Sequence, residues 1–152
     1  MSSHRAQQVV EAIAAALAAN TDLDAAVYTN RTLPVSVEDN EVPCVSVVYG
    51  GDEPLNAEGA VNLAYIDSLL EVFVKCTGAG NSEEAMLAAL MVLRRQVTVT
   101  LMADRSLGLA FVMDTRYGGA SAPESDARID KYVGKLDTRW HVMYRMNLLD
   151  PA

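Results

Sequence analysis

A chain of 152 residues with 51% hydrophobic content can close one core, which excludes disorder and leaves little room for a second domain, so residues 1–152 are read as a single domain. Its 20 acidic against 12 basic residues give a net charge of −8, which excludes a protein that grips the outside of DNA, because counterion release needs clustered Lys and Arg. No uninterrupted apolar run approaches the roughly 18 residues of a membrane span. Met1 to Ala19 lacks a basic block ahead of an apolar stretch, so a cytoplasmic product without an export signal is expected.

Ser3 to Ala19 carries Val9, Val10, Ile13 and Leu17 at three- and four-residue spacing in an alanine-rich background, which predicts a helix lying flat on a sheet. Ser2 or Ser3 is the expected cap, and Asn20-Thr21-Asp22 the stop. Ala26 to Arg31 reads as a short strand, and residues 32–41 as an irregular stretch. Pro43 opens the β-branched run Cys44 to Tyr49, which Gly50-Gly51 stops. Residues 50–62 read as a long acidic Gly/Pro loop. Asp67 to Thr77 alternates Leu70, Val72, Val74 and Cys76 against charged and aromatic neighbours, and Val61 to Ile66 extends it backwards as a hairpin arm.

After Gly78-Ala79-Gly80, Asn81 and Ser82 cap a second helix, with Asn81 and Glu84 spaced as a capping box. Its apolar stripe is Met86, Leu90, Leu93, Val97 and Leu101, widened by Leu87 and Met91. Leu107 to Tyr117 is the next strand and 118–130 a second acidic loop. Lys131 to Leu148 alternates strictly, with Leu136, Thr138, Trp140, Val142 and Tyr144 on one face and Asp137, Arg139, His141, Met143 and Arg145 on the other. The expected fold is α+β, a mainly antiparallel four- to five-stranded sheet with two helices packed on one face.

The residues that could carry catalysis lack partners at usable spacing. His4 precedes the first helix, and His141 alternates with charged residues. Cys44 and Cys76 show neither CxxC spacing nor a nearby His, and read as buried free thiols. The carboxylates sit mainly in loops, where nothing desolvates one of a pair. The glycine pairs match no phosphate-binding pattern. No cofactor, no metal and no enzymatic activity are expected.

The layout resembles the phage tail terminator proteins, the lambda-type minor tail protein family that completes the tail tube. The helix Arg5 to Leu17 leads to Tyr28-Thr29-Asn30-Arg31, then to the Pro43-led strand and an acidic Gly/Pro loop. The strand Leu70 to Lys75 enters the capped acidic helix at Asn81-Ser82-Glu83-Glu84-Ala85, and the last strand carries Arg139-Trp140-His141-Val142-Met143-Tyr144. The likeness is one of element order along nearly the whole chain. It implies a homohexameric ring at the tail–head junction of a virion that binds the last ring of tail-tube protein, stops tube growth and presents a surface to a head-completion or connector protein. DNA would pass through its channel without specific binding. Loops 50–62 and 118–130 are then the expected contact elements, separable from the fold, with Asp52, Glu53, Glu58, Tyr117, Glu124 and Asp126 as candidate contact residues. Another head–tail connector, or a small ligand-binding regulatory module, would suit the same composition.

Overall fold

The computed structural model describes residues 3–31, 42–55, 65–127 and 131–152, and the side chains of Asp126 and Ala127 are not described. Helix α1 spans Arg5–Ala19, and a 3₁₀ turn follows at Thr21–Leu23. Strands β1 (Ala26–Thr29), β2 (Cys44–Pro54) and β3 (Tyr65–Gly80) precede helix α2 (Glu83–Ala103). Strands β4 (Val112–Ala120), β5 (Glu124–Ala127) and β6 (Tyr132–Asn147) come after it.

The sheet order is β1-β2-β3-β6-β4, with β5 also on β6. The expected four or five antiparallel strands are therefore six in a mixed sheet. β1 runs parallel to β2 and every other pairing is antiparallel. Parallel pairing requires a crossover of roughly a dozen residues, which the long segment between β1 and β2 can supply. β3 and β4 both lie antiparallel to β6 on its two sides, so they run parallel to each other and α2 crosses between them.

Both expected loops are shorter than the sequence suggested. Residues 50–54 continue β2 beyond a bulge, where Gly51 takes φ +100° and the register slips between Tyr49 and Asp52. Residues 124–127 form β5 on the same edge of β6 as β4, with Glu124 opposite Lys135 and Asp126 opposite Val133. The expected strand start at Leu107 is instead a turn. Leu107 and Gly108 both adopt positive φ, and Leu107, Leu109 and Phe111 pack against the core from outside the sheet.

One face of the sheet carries both helices. α1 lies over β1 and β2, and α2 over β3 and β6. Val9, Val10, Ile13 and Leu17 of α1 are fully buried, as the alternation with alanine predicted, together with Leu90, Val97 and Leu101 of α2. Facing them are Val45, Val47, Leu70, Val72, Val74, Leu136, Trp140, Val142 and Tyr144. Trp140 buries its indole completely and satisfies it locally. Its Nε1–H donates to Thr138 Oγ1 at 2.9 Å, and that hydroxyl donates to the Val74 carbonyl at 3.1 Å.

The caps differ from expectation in detail. His4 caps α1 in place of the expected Ser2 or Ser3: its Nδ1 accepts from the Ala6 amide at 3.0 Å. Ser82 caps α2, accepting from the Ala85 amide at 3.1 Å. The residue three beyond Ser82 is Ala85, so the expected reciprocal box with Glu84 does not form. Arg5 ties the start of α1 to the far end of the described chain. Its amide donates to the Pro151 carbonyl at 2.8 Å, and its guanidinium to the carbonyls of Arg145 at 2.6 Å and Ala152 at 3.1 Å.

The cysteines sit on adjacent strands, but Cys76 lies opposite Val45 and Cys44 opposite Thr77, so the two thiols point to opposite faces. Both are free and buried. Burial first, with nearby Asp137 and Cys44 adding to it, pushes the Cys76 thiol up to about 12, which leaves it an inert packing group.

Candidate interaction surfaces

The bulge at Gly50-Gly51 turns Asp52 onto the helix-bearing side of β2, in register with Leu70. There its carboxylate accepts two phenolic hydroxyls, Tyr144 Oη–H at 2.6 Å and Tyr49 Oη–H at 2.7 Å. Burial, then the hydrogen bond to Asp52 and its charge, raise the pKa of Tyr144, and the separate hydrogen bond from Tyr49 to Asp52 is the leading cause of the rise at Tyr49. Asp52 thus fastens the distal part of β2 to β6 across β3. Beside this cluster, His4, Ala6, Gln7, Val10, Asn30, Val48, Tyr49 and Asp52 line an open groove of about 590 Å³.

Among the described residues the opposite face of the sheet carries no helix, and charges there pair across β3 and β6. Arg139 reaches Glu71 at 2.9 Å and lies over the Phe73 ring at 5.7 Å. Arg145 is bound to Asp67 at 2.8 Å. At the edge, Asp114 accepts from Arg116 and Arg105, and these bonds hold its carboxyl below the usual carboxylate range. Glu53 is exposed on this side, in a shallow cleft of about 290 Å³ with Gly50, Gly51, Asp52, Leu69, Glu71 and His141. Glu71 and His141 are cross-strand partners, but the cleft lining offers no Ser, Thr or Cys for a nucleophile. Among the described residues no group of three or more His, Cys, Asp or Glu is placed to hold a metal.

The remaining candidate residues lie elsewhere. Tyr117 of β4 rests on Trp140 with ring centroids 5.3 Å apart, and its hydroxyl accepts from Arg94 at 2.6 Å, so it bridges α2 to the sheet. Glu124 is exposed on β5, Asp126 has only its backbone described, and Glu58 lies outside the described residues. Asp52 and Glu124 are not neighbours. Through Leu70 and Val142, Asp52 maps seven residues along β6 from Lys135, the partner of Glu124. That is roughly 23 Å along the strand and three strands across.

Two surfaces escaped the sequence reading. On α2, Leu87 and Met91 do not widen the buried stripe but face outward, at 42% and 39% exposure, beside Val92 at 57% and Val99 at 54%. With a mean hydropathy of 1.4 over an 18-residue window, α2 is long and apolar enough by composition alone to cross a membrane, although only 28% of that window is buried. Arg94 and Arg95 had hidden this by interrupting the run at mid-helix. The second surface is a turn after β6. Asn147 accepts the Asp150 amide at its carbonyl and the Leu149 amide at its side chain, which fixes Leu148 and Leu149 outward at 54% and 86% exposure. The signal for the first was a helix apolar on all sides, where a single buried stripe is the norm.

The described architecture is a two-layer α+β domain in which one sheet face is covered and both ends are decorated with unpaired apolar side chains. It shares its fold with a chain of the structure titled "Virion of native gene transfer agent (GTA) particle". The TM-score is 0.56 and the identity 15%, over 89% of this chain and 94% of that one. No protein-family model matches the sequence, and no curated protein matches it.

Proposed function

We propose that the chain is a structural virion assembly protein that acts by contact and not by catalysis. In this reading it caps the tail tube, stops tube polymerisation and forms the head–tail joining surface, as a hexameric ring. The observation that carries the proposal is the fold shared, over nearly the full length of both chains, with a component of a phage-like virion particle. The element order read from the sequence supports the tail-terminator assignment within that class. A closed ring needs two unlike, complementary patches on each subunit, and unpaired apolar side chains on α2 and on the turn after β6 are suitable material for them. A net charge of −8 suits a lumen through which DNA slides without adhering. The exposed Glu53 and Glu124 then serve as rim contacts toward the tube or the connector, whereas Asp52 and Tyr117 act by holding their strands in place.

The test is mass in solution with negative-stain imaging, followed by addition of the chain to polymerising tube protein. A six-subunit ring that halts tube growth and stays on the tube end is expected. A monomer or dimer that leaves tube length unchanged would overturn the reading.

A further inference from the structure

Resting on the assembly reading, we infer that the outward stripe of α2 in one copy receives the Leu148-Leu149 turn of the next copy. The stripe is Leu87, Met91 and Val92 with Arg95 beside them, all exposed. Two exposed apolar patches on one chain can shield each other within that chain only if they are close, and these are not. α2 begins at Glu83, just beyond the sheet end formed by Gly80 and Tyr132, whereas Leu148 follows Asn147 at the other end of the sixteen-residue β6. Sixteen strand residues span about 50 Å, and Val92 is about 15 Å into the helix, so the patches are roughly 30 Å or more apart. They can meet only in trans.

The two patches are unlike and complementary in charge, as a head-to-tail contact requires. Arg95 is exposed and has no ion-pair partner among the described residues. The turn itself offers a carboxylate, Asp150, which is exposed and in no ion pair among the described residues. The turn is also prepared for docking, because the two bonds to Asn147 hold it before any partner arrives. Little ordering entropy is then lost on binding.

Cysteine crosslinking tests the pairing directly, since Cys44 and Cys76 are buried and leave introduced thiols as the accessible ones. Val92→Cys and Leu149→Cys proteins, mixed under mild oxidation, are expected to give a dimer joining one of each, and neither alone to do so. A dimer from Val92→Cys alone, or no crosslink in the mixture, would overturn the proposal. Leu149→Asp and Val92→Asp change exposed side chains, so circular dichroism should stay at wild type. Each is expected to raise the concentration at which half the chain is assembled by about tenfold or more. Wild-type flotation with phosphatidylcholine–phosphatidylglycerol vesicles that Val92→Asp abolishes would assign the stripe to a membrane and refute the pairing. If Leu149→Asp assembles normally and still caps the tube, this pairing fails while the assembly function stands. If the mixed crosslink forms but no tube is bound, the pairing stands and the capping function fails.

Discussion

The Asp52 cluster gives the sharpest quantitative expectation, because one carboxylate serves two tyrosines in different settings. Asp52 itself is exposed, and Tyr49 is 46% exposed, whereas the Tyr144 side chain is fully buried. Removing the carboxylate with Asp52→Ala leaves the Tyr144 hydroxyl with two weaker neighbours, the Ser68 hydroxyl and Met146 Sδ at 3.9 Å. A buried donor stripped of a charged acceptor costs about 2–3 kcal/mol. The converse change, Tyr144→Phe, leaves an exposed carboxylate that water and Tyr49 can still serve. Its cost should therefore be nearer 1 kcal/mol, at the low end for a charge-assisted bond. Urea unfolding of both single variants and the double variant measures the difference. The pair should couple by about 2–3 kcal/mol, with the double variant close to Tyr144→Phe alone, because no buried hydroxyl is left to satisfy. For a domain of this size each kcal/mol lowers Tm by roughly 2–4 °C. Equal losses from the two single variants, or simple additivity, would refute the idea that Asp52 acts chiefly by satisfying a buried hydroxyl.

Three further outcomes follow, one from the same tyrosines and two from other sites. Ser46 Oγ is buried in β2 without a hydrogen-bond partner among the described residues, so Ser46→Ala should raise stability by about 1 kcal/mol, read as an increase in Tm. The raised pKa values of Tyr144 and Tyr49 mean that the fold prefers their neutral forms. Their contribution is complete below the ordinary tyrosine range and is lost as pH climbs above about 10, so absorbance titration at alkaline pH should show two phenols ionising late or only on unfolding. A Cβ at Gly80 would sit 2.5 Å from the Met86 amide nitrogen, so Gly80→Ala should push the first turn of α2 off β3 and destabilise by about 1–3 kcal/mol in denaturant titration.

The parts of the fold that were legible are those where burial writes a period into the sequence. The stripe Val9, Val10, Ile13, Leu17 and the alternation from Leu136 to Tyr144 are both confirmed as core faces, because each residue there answers to one packed layer. β5 was not legible. Glu-Ser-Asp-Ala is a strand through backbone bonds to one edge of β6, and its Glu124 and Ser125 side chains are both exposed. The parallel placement of β1 was hidden for a related reason, since four residues specify burial but not direction. The site was read least well. Acidic residues in Gly/Pro segments suggested contact loops, yet Asp52 is turned onto the helix-bearing side by a bulge that no local pattern announced. Meanwhile the outward face of α2 was read as a broader core stripe, because a helix apolar all round does not say which side is covered.

The central strand pair has a mechanical consequence. β3 and β6 match residue for residue through sixteen consecutive partners, and the register slips among the described strands fall outside that pair, one in β2 and two along β4. The flanking strands can therefore twist and bend while the middle ribbon keeps its length. A pull along the ribbon axis that moves β3 against β6 loads all sixteen pairs in shear, and they must yield together, unlike a hairpin peeled open from its tip. A subunit built this way would resist extension along one axis and comply across it, as a washer in a strained joint must.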